Sequence, residues 1–115
     1  MRRGEIHLVN LDPAKSGEAN KQRPAIIVSN DGANASAERS GRGVLTVVPI
    51  TSNICRIYPF QVLLSAEGTG LQSDSKAQAE QIRSISVERL GPVIGEVPHA
   101  LMEALDEALR LHLAL

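Results

Sequence analysis

Two places in this 115-residue chain offer groups suited to a phosphate. In NKQRPAIIVSN, Asn20 to Asn30, Arg23 stands hard against Pro24 and an apolar β-branched run. Thr51 and Ser52 close a second such run, VLTVVPI. A guanidinium fork donates to two phosphate oxygens and keeps its charge at neutral pH, and a neighbouring hydroxyl adds a neutral donor. Glu18, Asn20 and Lys21 share the polar stretch that leads to Arg23, and Asn53 follows Ser52. Loops held by a rigid sheet can converge on a ligand. Ordinary solvation accounts for the same residues, and Arg23 alone reads equally as a charged gatekeeper beside a core strand.

Several chemistries find no residues here. There is no glycine-rich phosphate loop, no His-Glu-x-x-His and no nucleophile elbow. His7, His99 and His112 are scattered and read as surface or packing residues. The single cysteine, Cys55, excludes an intramolecular disulfide and a Cys-based zinc site. One Tyr, one Phe and no Trp argue against a base-stacking platform, which needs several exposed aromatic rings. Net charge is −1, but residues 1–60 hold eight Lys/Arg against five Asp/Glu while residues 61–115 hold four against eight. A basic site in the first half stays open. No apolar stretch reaches membrane-spanning length and no signal-type segment follows Met1, so the cytoplasm is expected. Asn34-Ala35-Ser36 matches a glycosylation sequon, read here as chance.

Such groups must be positioned by a sheet. EIHLVNL (Glu5–Leu11) alternates as a strand; AIIVS, VLTVVPI (Val44–Ile50) and FQVLL (Phe60–Leu64) follow. Pro49 suggests an edge or a bulge. Asn30 to Arg42, rich in Ala, Ser and Gly, reads as a polar mobile loop, and Thr51 to Pro59 as another. Ala77–Ile85 reads as one strand of mixed polarity and Leu90–Val97 as the last. Pro98 opens a helix from about His99 to Leu113, with Leu101, Leu105, Ala108, Leu109 and His112 on one stripe. Residues 1–115 are expected to form a single domain, mainly β with a C-terminal α-helix, as a small, partly closed antiparallel barrel.

Short segments in order carry a resemblance. They are Arg3-Gly4-Glu5-Ile6, Leu11-Asp12-Pro13, Glu18, Arg23-Pro24 running into AIIVSN, VVPITS, YPF with VLLS, and EQIRSI. Over nearly its whole length the chain resembles the MazF/PemK family of toxin endoribonucleases, most closely the mycobacterial type. The resemblance implies an SH3-like barrel of the CcdB/MazF kind, a homodimer, and cleavage of single-stranded RNA with no metal or cofactor. It also implies a cognate MazE-like antitoxin, whose acidic C-terminal tail lies over the RNA groove.

Residue by residue, it makes Arg23 and Thr51 catalytic. Arg23 would stabilise the phosphorane, Thr51 would donate to the scissile phosphate with Ser52 as helper, and Glu18 would receive the 2′-OH proton. Asn20, Lys21, Gln78, Gln81, Arg83 and Ser84 are expected to contact RNA, with Lys15 and Arg56 attracting its backbone. Two positions depart from the PemK branch: Gly17 replaces a loop histidine, and Gln78 and Glu80 replace an arginine and an aspartate. Ile54, Tyr58 and Phe60 are read as core or dimer surface. A CcdB-like gyrase poison and an inactive SH3-like module are the alternatives; the first lacks its terminal Trp-Gly-Ile here, where the chain ends His112-Leu113-Ala114-Leu115.

Overall fold

The runs AIIV and VLTVVPI lie in the two central strands of an antiparallel sheet, and they are largely apolar because most of both faces is covered. In the computed structural model, which describes residues 1–11 and 22–115, the described residues form β1 (Glu5–Asn10), β2 (Gln22–Ile27), β3 (Val44–Thr51), β4 (Gln61–Leu64), β5 (Ser75–Gln78), β6 (Arg83–Ser86) and β7 (Leu90–Glu96). They pair in the order β4-β5-β3-β2-β1-β7, with β6 also on β3. Helices α1 (Asp31–Ser40), α2 (Ala66–Thr69) and α3 (His99–Leu113), with the 3-10 turns Ala79–Gln81 and Val87–Arg89, complete the described elements. The open, barrel-like sheet with its C-terminal helix is the mainly β architecture expected.

Strand alternation sends successive side chains to opposite faces. Ile6, Ile26, Val48 and Val62 join Met102, Leu105, Ala108 and Leu109 of α3 in one core. Val9, Ala25, Ile27, Leu45, Val47 and Ile85 turn the other way and pack against Ala37 of α1. The α3 stripe is therefore as expected except that Met102 in its first turn is also buried and His112 near its end is exposed.

Four expectations change. Asn30–Arg42 is not a loop, because Asp31–Ser40 is helical. The Asn30 side chain caps it by accepting the Ala33 amide at 2.8 Å, and Gly41 ends it at φ 66°. Asn34 of the sequon is fully buried. Ala77–Ile85 is not one strand. β5 pairs with Ile50 and Thr51, a 3-10 turn Ala79–Gln81 intervenes, and β6 then pairs with Val44–Val47. Pro49 is interior rather than at an edge, and its missing N–H falls where β3 exchanges β6 for β5. Finally, β2 begins at Gln22, so Arg23 lies inside the strand rather than one residue before it.

The α2 connection is pressed against β7. A Cβ on Gly95 would sit 2.0 Å from the Thr69 carbonyl oxygen, so only glycine allows that approach. None of the helices among the described residues is long and apolar enough to cross a membrane.

Candidate active site

β2 and β3 pair as Ala25↔Pro49, Ile26↔Val48 and Ile27↔Val47. Carried two residues further, that register sets Arg23 across from Thr51, on the same sheet face. β1 flanks the pair on the other side, with Val9 opposite Arg23. Two depressions flank these strand ends and share Arg23, Ile50 and Thr51. One, of about 390 Å³, adds Leu11, Gln78, Gln81 and Arg83. The other, of about 500 Å³, adds Ser52, Pro24, Leu8 and Ile94 with residues of the 70–75 connection.

The electrostatics suit an anion. The ion pairs among the described residues engage Met1, Arg2, Arg3, His7, His99 and Arg110, leaving Arg23 and Arg83 without a carboxylate there. Both are exposed. The Thr51 hydroxyl oxygen accepts the Asn53 amide at 3.2 Å. Its proton has no acceptor among the described residues, so it can be donated outward. The Asn53 bond also orients that hydroxyl at the point where β3 ends.

Behind the smaller depression, Ala79 is fully buried against α3, and that anchoring holds the 3-10 turn. Gln78 and Gln81 consequently flank Ala79 and line the depression. Glu80 turns inward instead, its Oε2 accepting from Gln61 Nε2 at 2.8 Å. The residue at the aspartate position of the PemK branch therefore lines neither depression.

Of the residues expected to act, the structure brings together Arg23, Thr51, Ser52, Gln78, Gln81 and Arg83. Ser84 is not among them. As the residue after Arg83 in β6 it points to the opposite face, and it pairs with Thr46. Arg56 lines neither depression either; its guanidinium lies over Tyr58. Ile54 and Tyr58, 37% and 40% exposed, are not core. Lys15, Gly17, Glu18, Asn20 and Lys21 lie outside the described residues. Gln72 and Ser73 line the larger depression and were not anticipated. Their polar types in a Gly-Ser-Asp connection carry no signal that separates a site from a turn.

The family described as PemK-like, MazF-like toxin of type II toxin-antitoxin system matches residues 2–113. The chain belongs to the PemK/MazF toxin family. This MazF-family toxin is 69% identical over 115 residues to the Mycobacterium tuberculosis protein named endoribonuclease MazF9, covering 100% of this chain and 98% of that one. Its fold is similar to that of the M. tuberculosis toxin MazF-mt6, with a TM-score of 0.77 and 28% identity over 96% of this chain and 97% of that chain. An endoribonuclease from a mycobacterial species, solved with its cognate antitoxin, gives a TM-score of 0.76 at 24% identity, a likeness of fold covering 100% of this chain and 96% of that one.

Proposed function

We propose that this toxin is a sequence-specific endoribonuclease that cuts single-stranded RNA without a metal ion and so halts translation. The ribose 2′-oxygen forms a bond to its own phosphorus as the P–O5′ bond breaks, leaving a 2′,3′-cyclic phosphate and a 5′-OH. Arg23 neutralises the phosphorane with two N–H donors, and Thr51 donates its free hydroxyl proton to a non-bridging oxygen. Glu18 takes the 2′-OH proton. An arginine keeps its proton at neutral pH, so Arg23 suits delivery of a proton to the leaving 5′-oxygen better than removal of one. The observation that carries this reading is the register that sets an exposed Arg23 across from Thr51 between two depressions.

Gln78 and Gln81 supply amides that can read a base edge, and Arg83 a cation for the next phosphate. Ser52 supports Thr51. Asn20 and Lys21 would contact the RNA, and Lys15 would attract its backbone. The toxin would act as a homodimer in the cytoplasm, restrained by a MazE-like antitoxin whose acidic tail competes with RNA for the same cations. A gyrase-poison reading finds no support in relatives named as endoribonucleases.

The test is incubation of purified protein with a long unstructured RNA in EDTA, followed by mapping of the ends. Discrete cuts bearing cyclic phosphate are expected. Intact RNA at a concentration where the protein is dimeric would overturn the reading.

A further inference from the structure

The chain has one tyrosine and one phenylalanine, and they are stacked on each other in the segment after Thr51. Their ring centroids are 5.3 Å apart and the planes differ by 5°. On Tyr58 the Arg56 guanidinium carbon lies 5.6 Å from the ring centroid, and Arg56 Nη1 donates to the Tyr58 hydroxyl at 3.2 Å. The result is a three-rung ladder, Arg56–Tyr58–Phe60. Phe60 is half-buried at its inner end, whereas Arg56 and Tyr58 are exposed. Burial of apolar area does not explain an exposed planar cation held on an exposed ring.

Two buried side chains fix where this ladder stands. Lys76, 8% exposed, donates from Nζ to the Arg56 carbonyl at 2.7 Å, and in the sheet Lys76 is the direct partner of Thr51. Gln61, also 8% exposed, accepts the Tyr58 amide at 3.1 Å, and it is the direct partner of Gln78. Direct partners share a sheet face. The backbone of Arg56 and Tyr58 is thus tied over the same face, and beside the same residues, that carry Thr51 and Gln78. A lysine and a glutamine buried to hold two loop carbonyl and amide groups are costly unless the loop must be placed.

We propose that the exposed Arg56–Tyr58 end of the ladder is a stacking subsite for one unpaired base of the RNA strand, next to the base-edge amides of Gln78 and Gln81. The inference rests on the reading of the molecule as a ribonuclease. Bases of any identity present a flat face, and both guanidinium and phenol planes accept one; the contact therefore adds affinity without choosing sequence. It complements the amides, which discriminate but stack poorly. Lys76 and Gln61 act through the loop, as positioning residues.

Because Tyr58 is the only tyrosine, ring-labelled tyrosine gives NMR signals from this subsite alone. The probes are a random-sequence 2′-O-methyl oligoribonucleotide, which cannot cyclise, and an abasic oligomer with the same number of phosphates. The base-bearing oligomer is expected to move the Tyr58 ring signals upfield, and the abasic one to leave them in place. In cleavage assays Arg56→Lys, which keeps charge and loses the plane, and Tyr58→Leu should raise KM roughly fivefold to a hundredfold with little change in kcat. Equal shifts with both oligomers, or unshifted signals in a protein that cuts RNA, would overturn the stacking subsite and leave the ribonuclease reading standing. A shift that follows protein concentration and not oligonucleotide would mark a protein–protein contact and also overturn it. RNA neither bound nor cut would overturn both.

Discussion

Arg23 and Thr51 depend on the backbone more than on each other. Each sits at, or one residue inside, the end of a strand whose inner residues are buried, Ala25 and Ile26 for Arg23 and Ile50 for Thr51, so the two side chains start from fixed points. Thr51→Ala should slow cleavage about a hundredfold, the cost of one oriented donor to a developing charge, and Thr51→Ser should recover most of it. Equal rates for the alanine and serine variants would show that the hydroxyl is not the acting group. Arg23 was legible as a phosphate-binding candidate from its type and place, and its partner Thr51 from the family resemblance rather than from spacing. Residue spacing holds no information about register, and register alone brings positions 23 and 51 together. Glu80 shows the reverse limit, since nothing in EQIRSI indicates that its carboxylate turns inward to Gln61.

At the scale of elements, the loop after Thr51 is held by hydrogen bonds from the β4–β5 hairpin. Gln61 and Lys76 contact its backbone, so their loss should leave the sheet standing and release the loop. Lys76→Met is expected to raise KM several-fold with kcat nearly unchanged, measured beside an unfolding curve; an equal fall in kcat would place Lys76 in the chemistry instead. The 66–75 connection answers to sterics. Gly95→Ala should cost roughly 3 kcal/mol in denaturant unfolding, since the new Cβ meets a backbone carbonyl rather than a yielding side chain. The four strands up to Leu64, β7 and α3 were legible because apolar period and Pro98 mark them. α1 was missed because Asn34 and Ala37 are its only buried residues, leaving almost no apolar period. Its Asn30 cap and Gly41 stop were the signals present. The break between β5 and β6 was hidden because a single turn of 3-10 helix fits inside a run of mixed polarity.

For the whole molecule, α3 covers one face of the sheet, and its buried stripe supports the turn that carries Gln78 and Gln81 to the other. Leu105→Ala, at a site 1% exposed, should cost about 2–5 kcal/mol of stability. The sheet's outer seam is titratable. His7 Nδ1 lies 2.9 Å from the Gly91 carbonyl and Nε2 lies 3.0 Å from Glu5 Oε1, tying β1 to β7. The His7 hydrogen bond holds the Glu5 carboxyl below its ordinary 4.5, with the Arg2 amide helping and burial opposing. A depressed carboxyl contributes stability that is present above its unfolded pKa and lost as pH falls through the folded value. Glu5→Gln should therefore be less stable than the parent at pH 6, with the gap closing below pH 4.5. A gap that widens on acidification would reverse that assignment. Whether the neighbouring ends of β2 and β3 form the cleavage site is decided by single-turnover cleavage of an unstructured RNA in EDTA by Arg23→Ala, with folding checked in the same preparation. A folded variant at least about a hundredfold slower than the parent is predicted; a folded variant that cuts at the parent's rate would contradict that placement.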